Sequence, residues 1–99
     1  MSSIILNLNK QFENRVRLGI MSILVVNDWV EFNVLKEMLE VTDGNLASHL
    51  NALEKNEYLE VRKQFVGRKP KTSYSVTMIG RNAFKLHIDA LEALINPNN

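Results

Sequence analysis

Between Thr42 and Lys55, Leu46, Leu50 and Leu53 recur at helical spacing, which turns Gly44, Asn45, Ser48, Asn51, Ala52 and Lys55 to the opposite face. Near the start of this segment the outward side chains are small or polar, and none is a long carboxylate. Such a face can approach the edges of base pairs closely. Asn offers a bidentate hydrogen bond to adenine, and Ser can bond several base edges or a phosphate. The plain alternative is a solvated helix face. His49 lies on the flank, where it can reach a phosphate or base, or sit half-buried with a backbone hydrogen bond. Asp43 would be repelled by phosphate, and its place in the first turn suits the helix dipole instead.

Five cations follow within ten residues, Arg62, Lys63, Arg68, Lys69 and Lys71, and no acid interrupts them. Gly67 and Pro70 shape a turn there, so the charges stand away from the body. This suits phosphate contact, or an Arg in a minor groove, with binding that weakens steeply as salt rises. The plain alternative is a solubilising loop, against which the complete lack of acids weighs. The total formal charge of +1 hides this division. Residues 18–60 carry a net −6 and residues 61–88 a net +7.

Other chemistry is poorly supported. Cysteine is absent, which removes disulfides, thiolate metal sites and thiol nucleophiles. The two histidines are far apart and stand in no ligand-spaced cluster, and no glycine-rich phosphate loop occurs. The expectation is a protein that is not an enzyme and takes no metal or cofactor. The opening MSSIILNLNK lacks the basic cluster and cleavage site of a signal peptide. The longest uncharged apolar stretch, Leu18 to Asn27, is half of what a bilayer span needs. A cytoplasmic protein with no membrane partner is expected.

The elements that would position these clusters can be read from periodicity and caps. A helix is predicted from about Asn9 to Val26, with Phe12, Val16, Ile20, Ile23 and Leu24 on one stripe. Leu18, Met21 and Val25 fill its other side, so it must be buried on two sides. Trp29 to Phe32 reads as a short extended piece, and Asn33 as the cap of a helix from Val34 to Glu40. Val41-Thr42 makes a tight connection. Thr42 caps the next helix, about 43–55, and Asn56 is the expected left-handed residue at its end. A hairpin spans about 58–76, its strands Tyr58–Val66 and Thr72–Val76 joined by a loop, Gly67 to Lys71. Thr77 caps a last helix of about 78–95, ended by Asn96-Pro97. That helix has Phe84, Ile88, Leu91 and Ile95 on one face, and Ile79, Leu86, Ala90 and Ala93 roughly opposite, with Leu94 beside them. Two apolar faces exceed what one small monomer can cover.

Helix, short strand, helix, tight turn, helix, hairpin and helix, in that order, describe one domain over 1–99, mainly α with a small β-hairpin. This order predicts a winged helix-turn-helix, expected to dimerise through its first and last helices. The runs TDGNLASHLNALEKNEYLEV and GRKPKTSYSVTMIGRNAF resemble the small single-domain winged-helix transcriptional regulators related to the MarR and ArsR groups. RVRLGIMSIL and DWVEFNVLKEML are similar to that family's first two helices, so the resemblance covers roughly residues 9–95. It implies a homodimer with two recognition helices in successive major grooves and wings alongside. Carried over, Thr42, Gly44, Asn45, Ser48 and His49 fall on the recognition helix, and Arg68, Lys69 and Lys71 on the wing. Asn56-Glu57 departs from the pattern, which has a glycine before the Tyr. ArsR-type metal sensing finds no cysteines or clustered histidines here.

The expected function is therefore sequence-specific binding of double-stranded DNA by a homodimeric transcriptional regulator. Thr42, Gly44, Asn45, Ser48, His49, Asn51, Arg62, Lys63, Arg68, Lys69 and Lys71 are the candidate DNA contacts. Phe12, Val16, Ile79, Leu86, Ala90, Ala93 and Leu94 are the candidate dimer contacts. The rival readings are a winged helix that binds protein and no DNA, and one that binds RNA. Whether a small-molecule effector acts on the chain is left open.

Overall fold

A computed structural model describes residues 4–96. Two short 3-10 turns, Ile4–Asn7 and Lys10–Phe12, precede helix α1, Arg15–Leu24. The first helix thus begins later than its apolar stripe predicts, because two asparagines compete to cap it. Asn9 Oδ1 accepts from the Gln11 amide at 2.8 Å and caps only the 3-10 turn. Asn14 Oδ1 accepts from the Val16 and Arg17 amides at 2.9 and 3.1 Å, and starts α1.

Strand β1, Val30–Glu31, leads directly into helix α2, Phe32–Leu39. Pairing of Glu31 with Ser73 holds Glu31 extended, so the boundary falls there and the expected cap, Asn33, lies inside the first turn. Glu40, at φ 53°, reverses the chain in a tight turn. Thr42 Oγ1 then accepts from the Asn45 amide at 3.2 Å and caps helix α3, Asp43–Lys55, as predicted.

At the end of α3 the left-handed residue is Glu57, at φ 64°, and not Asn56. The Tyr58 amide donates to the Leu53 carbonyl at 3.0 Å and the Glu57 amide to Glu54 at 2.9 Å, the paired bonds of a Schellman ending. That geometry puts the left-handed residue one place before Tyr58, where the family pattern has glycine. Glu57 holds it at a cost of roughly 1 kcal/mol.

Strands β2, Leu59–Val66, and β3, Lys69–Val76, pair antiparallel along their whole length, and β1 joins β3 to give the order β1-β3-β2. The loop predicted over 67–71 shrinks to Gly67-Arg68, since Val66 pairs with Lys69 and Phe65 with Pro70. Gly67 takes φ 66°, the positive value that a glycine at the first turn position supplies to a two-residue hairpin. Lys69 and Lys71 accordingly sit on a strand.

Helix α4, Met78–Ile95, is capped by Thr77, whose Oγ1 accepts from the Gly80 amide at 2.9 Å. The Thr77 hydroxyl donates to the Glu57 carbonyl at 2.7 Å, and its amide to Tyr58 at 2.9 Å, which ties the end of α3 to the start of α4. The predicted terminator Pro97 lies outside the described residues. Ile20, Met21, Leu24, Leu35, Leu46, Leu50 and Leu53 are fully buried between α1, α2 and α3, and Val30, Leu59 and Tyr74 close the core from the sheet. Phe12 fills the gap towards α4, with its ring centroid 5.3 Å from Phe84 and 5.4 Å from both Tyr58 and His87. The molecule is elongated, 57 × 25 × 21 Å, with a radius of gyration of 15.0 Å. A compact chain of this length reaches about 13 Å.

Candidate nucleic-acid interface

Burial of Leu46, Leu50 and Leu53 sets the rotation of α3 and leaves Thr42, Gly44, Asn45, Ser48 and Asn51 exposed together. Space beside Gly44 is open, with no other atom within 4 Å of where a Cβ would stand. Asp43, in the first turn of this face, is ion-paired, with Oδ1 2.8 Å from Lys36 Nζ on α2, while the exposed Glu40 of the preceding turn borders the groove beside Asn45. Thr42, Gly44, Asn45, Ser48 and Asn51 themselves make a small, polar patch without a charged side chain, fit to approach base edges.

His49 is half-buried, but its partner is a side chain and not the backbone. Arg17 Nε donates to His49 Nδ1 at 2.9 Å, and Arg17 Nη1 donates to Gln11 Oε1 at 2.6 Å. Burial first, and then the Arg17 guanidinium, hold the imidazole pKa below its ordinary value. This bridge joins α1 to the flank of α3. It also brings Asn14 and the exposed Arg15 to a groove shared with Asn45 and His49. Neither arginine is among the contacts expected from the basic run after residue 60; two arginines opening a helix are the signal in the sequence.

The wing's cations divide into engaged and free. Arg62 lies 4.3 Å above the Trp29 ring at the wing's base, and Lys71 Nζ is 3.2 Å from Glu31 Oε1. Behind the wing, Arg81 donates to the Val25 carbonyl at 2.9 Å and Lys85 pairs with Asp89 at 2.7 Å. Among the described residues, Lys63, Arg68 and Lys69 have no carboxylate partner. The free charge of the basic segment therefore collects toward the tip.

The candidate dimer residues separate in the same way. Phe12, Val16 and Ala90 are buried in the chain's own core, so these three are closed to a partner. Periodicity put them on shared stripes, but the 3-10 segment and α4 already cover them. Ala93 is half-buried, while Ile79, Leu86 and Leu94 are exposed. Along α4 the covered stripe runs through Gly80, Phe84, His87 and Ala90, and its continuation, Leu91, Leu94 and Ile95, is uncovered.

His87 is buried, and its Nδ1 accepts from the Asn9 amide at 3.0 Å, which secures the 3-10 segment to α4. Burial lowers its pKa, an effect that Glu13 partly opposes. Both histidines thus have folded pKa values below the unfolded one, about 6.5. The unfolded chain binds more protons in that window, so stability is complete above it and falls as pH drops through the depressed values. Thermal melts between about pH 7.5 and pH 5 are expected to show a falling Tm, and His87→Gln a flatter profile. A level Tm in the native chain would contradict the burial of both neutral rings.

Comparison with known proteins agrees with this geometry. The family model described as a winged helix DNA-binding domain matches residues 16–95. An uncharacterized protein of Methanocaldococcus jannaschii is 42% identical over 79 residues, covering 80% of this chain and 86% of its own. The solved structure of a transcriptional regulator homologue from Pyrococcus horikoshii superposes with a TM-score of 0.81 at 32% identity, over 88% of this chain and 86% of that one. The YusO protein of Bacillus subtilis shares the fold, with a TM-score of 0.80 at 16% identity over 95% of this chain and 66% of that one. No helix among the described residues is long and apolar enough to cross a membrane. The resemblance carried by TDGNL and GRKPKTSY is upheld: the chain belongs to the winged helix DNA-binding domain family.

Proposed function

We propose that the protein is a cytoplasmic, homodimeric transcriptional regulator that binds double-stranded DNA sequence-specifically. In this reading α3 enters the major groove and reads bases with Asn45, Ser48 and Asn51, while Thr42 and Gly44 allow close approach. Lys63, Arg68 and Lys69 grip phosphate or the adjacent minor groove. The observation that carries the reading is the pairing of two surfaces: an α3 patch of small, polar side chains, and a wing whose cations without a carboxylate partner among the described residues gather toward its tip. Duplex DNA is favoured over duplex RNA because the major groove of A-form RNA is too deep and narrow for a helix.

Dimerisation is supported by the unfinished burial of α4. Leu86, Leu91, Leu94 and Ile95 are exposed on a helix whose remaining stripe is already core, and the elongated shape leaves them without cover from the body. A second copy would bury them, and reading two half-sites one turn of B-DNA apart requires its α3 to stand about 34 Å from the first. The test is the double change Leu86→Lys and Leu94→Lys, which removes no buried contact. Sedimentation is expected to show a folded monomer in place of a dimer, with weaker duplex binding. A native chain that sediments as a monomer would contradict the dimer, and duplex RNA competing as well as DNA would contradict the groove assignment.

A further inference from the structure

The wing tip has a feature that phosphate contact does not use. Phe65 and Val66 are 76% and 60% exposed, the two most outward hydrophobic residues of the hairpin. Consecutive strand residues point to opposite faces, so the tip is apolar on both sides. Phe65 is paired with Pro70 across one face, and Val66 with Lys69 across the other. Neither joins the core. Around them stand Lys63, Arg68 and Lys69, the wing cations that have no carboxylate partner among the described residues. An exposed aromatic at the end of a β-ribbon invites aggregation and needs a reason to be there.

We infer that Phe65, with Val66 and Pro70, forms a wedge that enters and opens the minor groove of DNA, so that binding bends the duplex. This rests on the DNA-binding reading proposed above. Its basis is a mismatch in size. The two strands of the ribbon lie about 4.8 Å apart before side chains are added, whereas the B-DNA minor groove is only about 6 Å wide. Arg68 could enter such a groove alone, but the tip as built cannot. Opening the groove partly unstacks a base step, and an apolar side chain covers the surface so exposed. Lys63, Arg68 and Lys69 then meet the phosphates on the rims. Flexible pyrimidine–purine steps such as TA and CA yield most readily and should be preferred beneath the tip.

The test uses the whole chain and a duplex of about 30 bp with TA and CA steps, carrying fluorophores at both ends, at low salt. The native protein is expected to bring the ends closer. Phe65→Ala should leave the duplex nearly straight and weaken binding by roughly tenfold or more, with the salt slope unchanged. Arg68→Ala should keep the bend and make the salt slope shallower. Because Phe65 touches no core residue, its variant should melt at the native temperature. A native complex with a straight duplex, or a Phe65→Ala complex as bent as the native one, would overturn the wedge and leave DNA binding intact. A change in sedimentation of free Phe65→Ala protein would assign the patch to contact between copies, and overturn it too. Failure of the native chain to bind any duplex would instead sink the underlying reading.

Discussion

Gly80→Ala is expected to destabilise the fold by roughly 3 kcal/mol, lowering Tm by about 15 °C for a domain of this size. Gly80 is buried in the first turn of α4, and a Cβ there would overlap the Tyr58 carbonyl. The obstruction is main chain and cannot rotate away. Nor can Tyr58 retreat easily, since its carbonyl accepts from the Thr77 amide and its own amide caps α3 through Leu53. Any relief would therefore disturb the end of α3, the base of the wing and the start of α4 together. The useful contrast is Gly44→Ala, a helical glycine in open space, which should gain a few tenths to about 1 kcal/mol from helix propensity. Circular dichroism melts of both variants would check the pair, and a Gly80→Ala protein melting within a few degrees of the native one would contradict this packing.

The double change Arg68→Ala and Lys69→Ala is expected to cost about 10³ in duplex affinity near physiological salt for a dimer. Each phosphate neutralised contributes a slope of about −0.9 to log K against log salt, which near 0.15 M amounts to about fivefold per contact. Two contacts on each of two protomers compound to about 10³, whereas a monomer would lose only about 30-fold. The size of the loss thus reports both the wing's role and the number of wings engaged. Arg62→Ala should do less, because its guanidinium is stacked on Trp29. Lys71→Ala should also do less, since Glu31 already takes part of that charge.

What was legible in the sequence is what depends on neighbours along the chain. Thr42 and Thr77 are caps by residue type and position, and the span of α4 and the buried face of α3 follow from period and composition. What escaped depends on partners far away. The wing's extent matches its expected span, but its returning strand begins three residues earlier than expected, because Lys69-Pro70-Lys71 has the composition of a loop while its strand state comes from pairing with residues 64–66. The Arg17–His49 bridge spans 32 residues, and the Arg62–Trp29 stack is equally non-local. Neither leaves a trace in local pattern, yet together they decide which polar groups remain free for a ligand. Phe12 and Val16 illustrate the same limit from the apolar side. Periodicity says which residues share a face and is silent on whether this chain or another covers it. In α4 that distinction falls along a single stripe, with Phe84, His87 and Ala90 covered at home and Leu91, Leu94 and Ile95 not.

In the proposed function, α3 and the wing form one surface for duplex DNA. The deciding measurement is titration of a labelled duplex, selected from a random pool by the native protein, across about 50 to 200 mM salt. The native chain should bind with log affinity falling linearly in log salt. Arg68→Ala/Lys69→Ala should bind with a shallower slope, and Asn45→Ala should lose preference for the selected sequence at an unchanged slope. A folded native protein that binds no duplex at the lowest salt, or a slope indifferent to the wing double change, would contradict it.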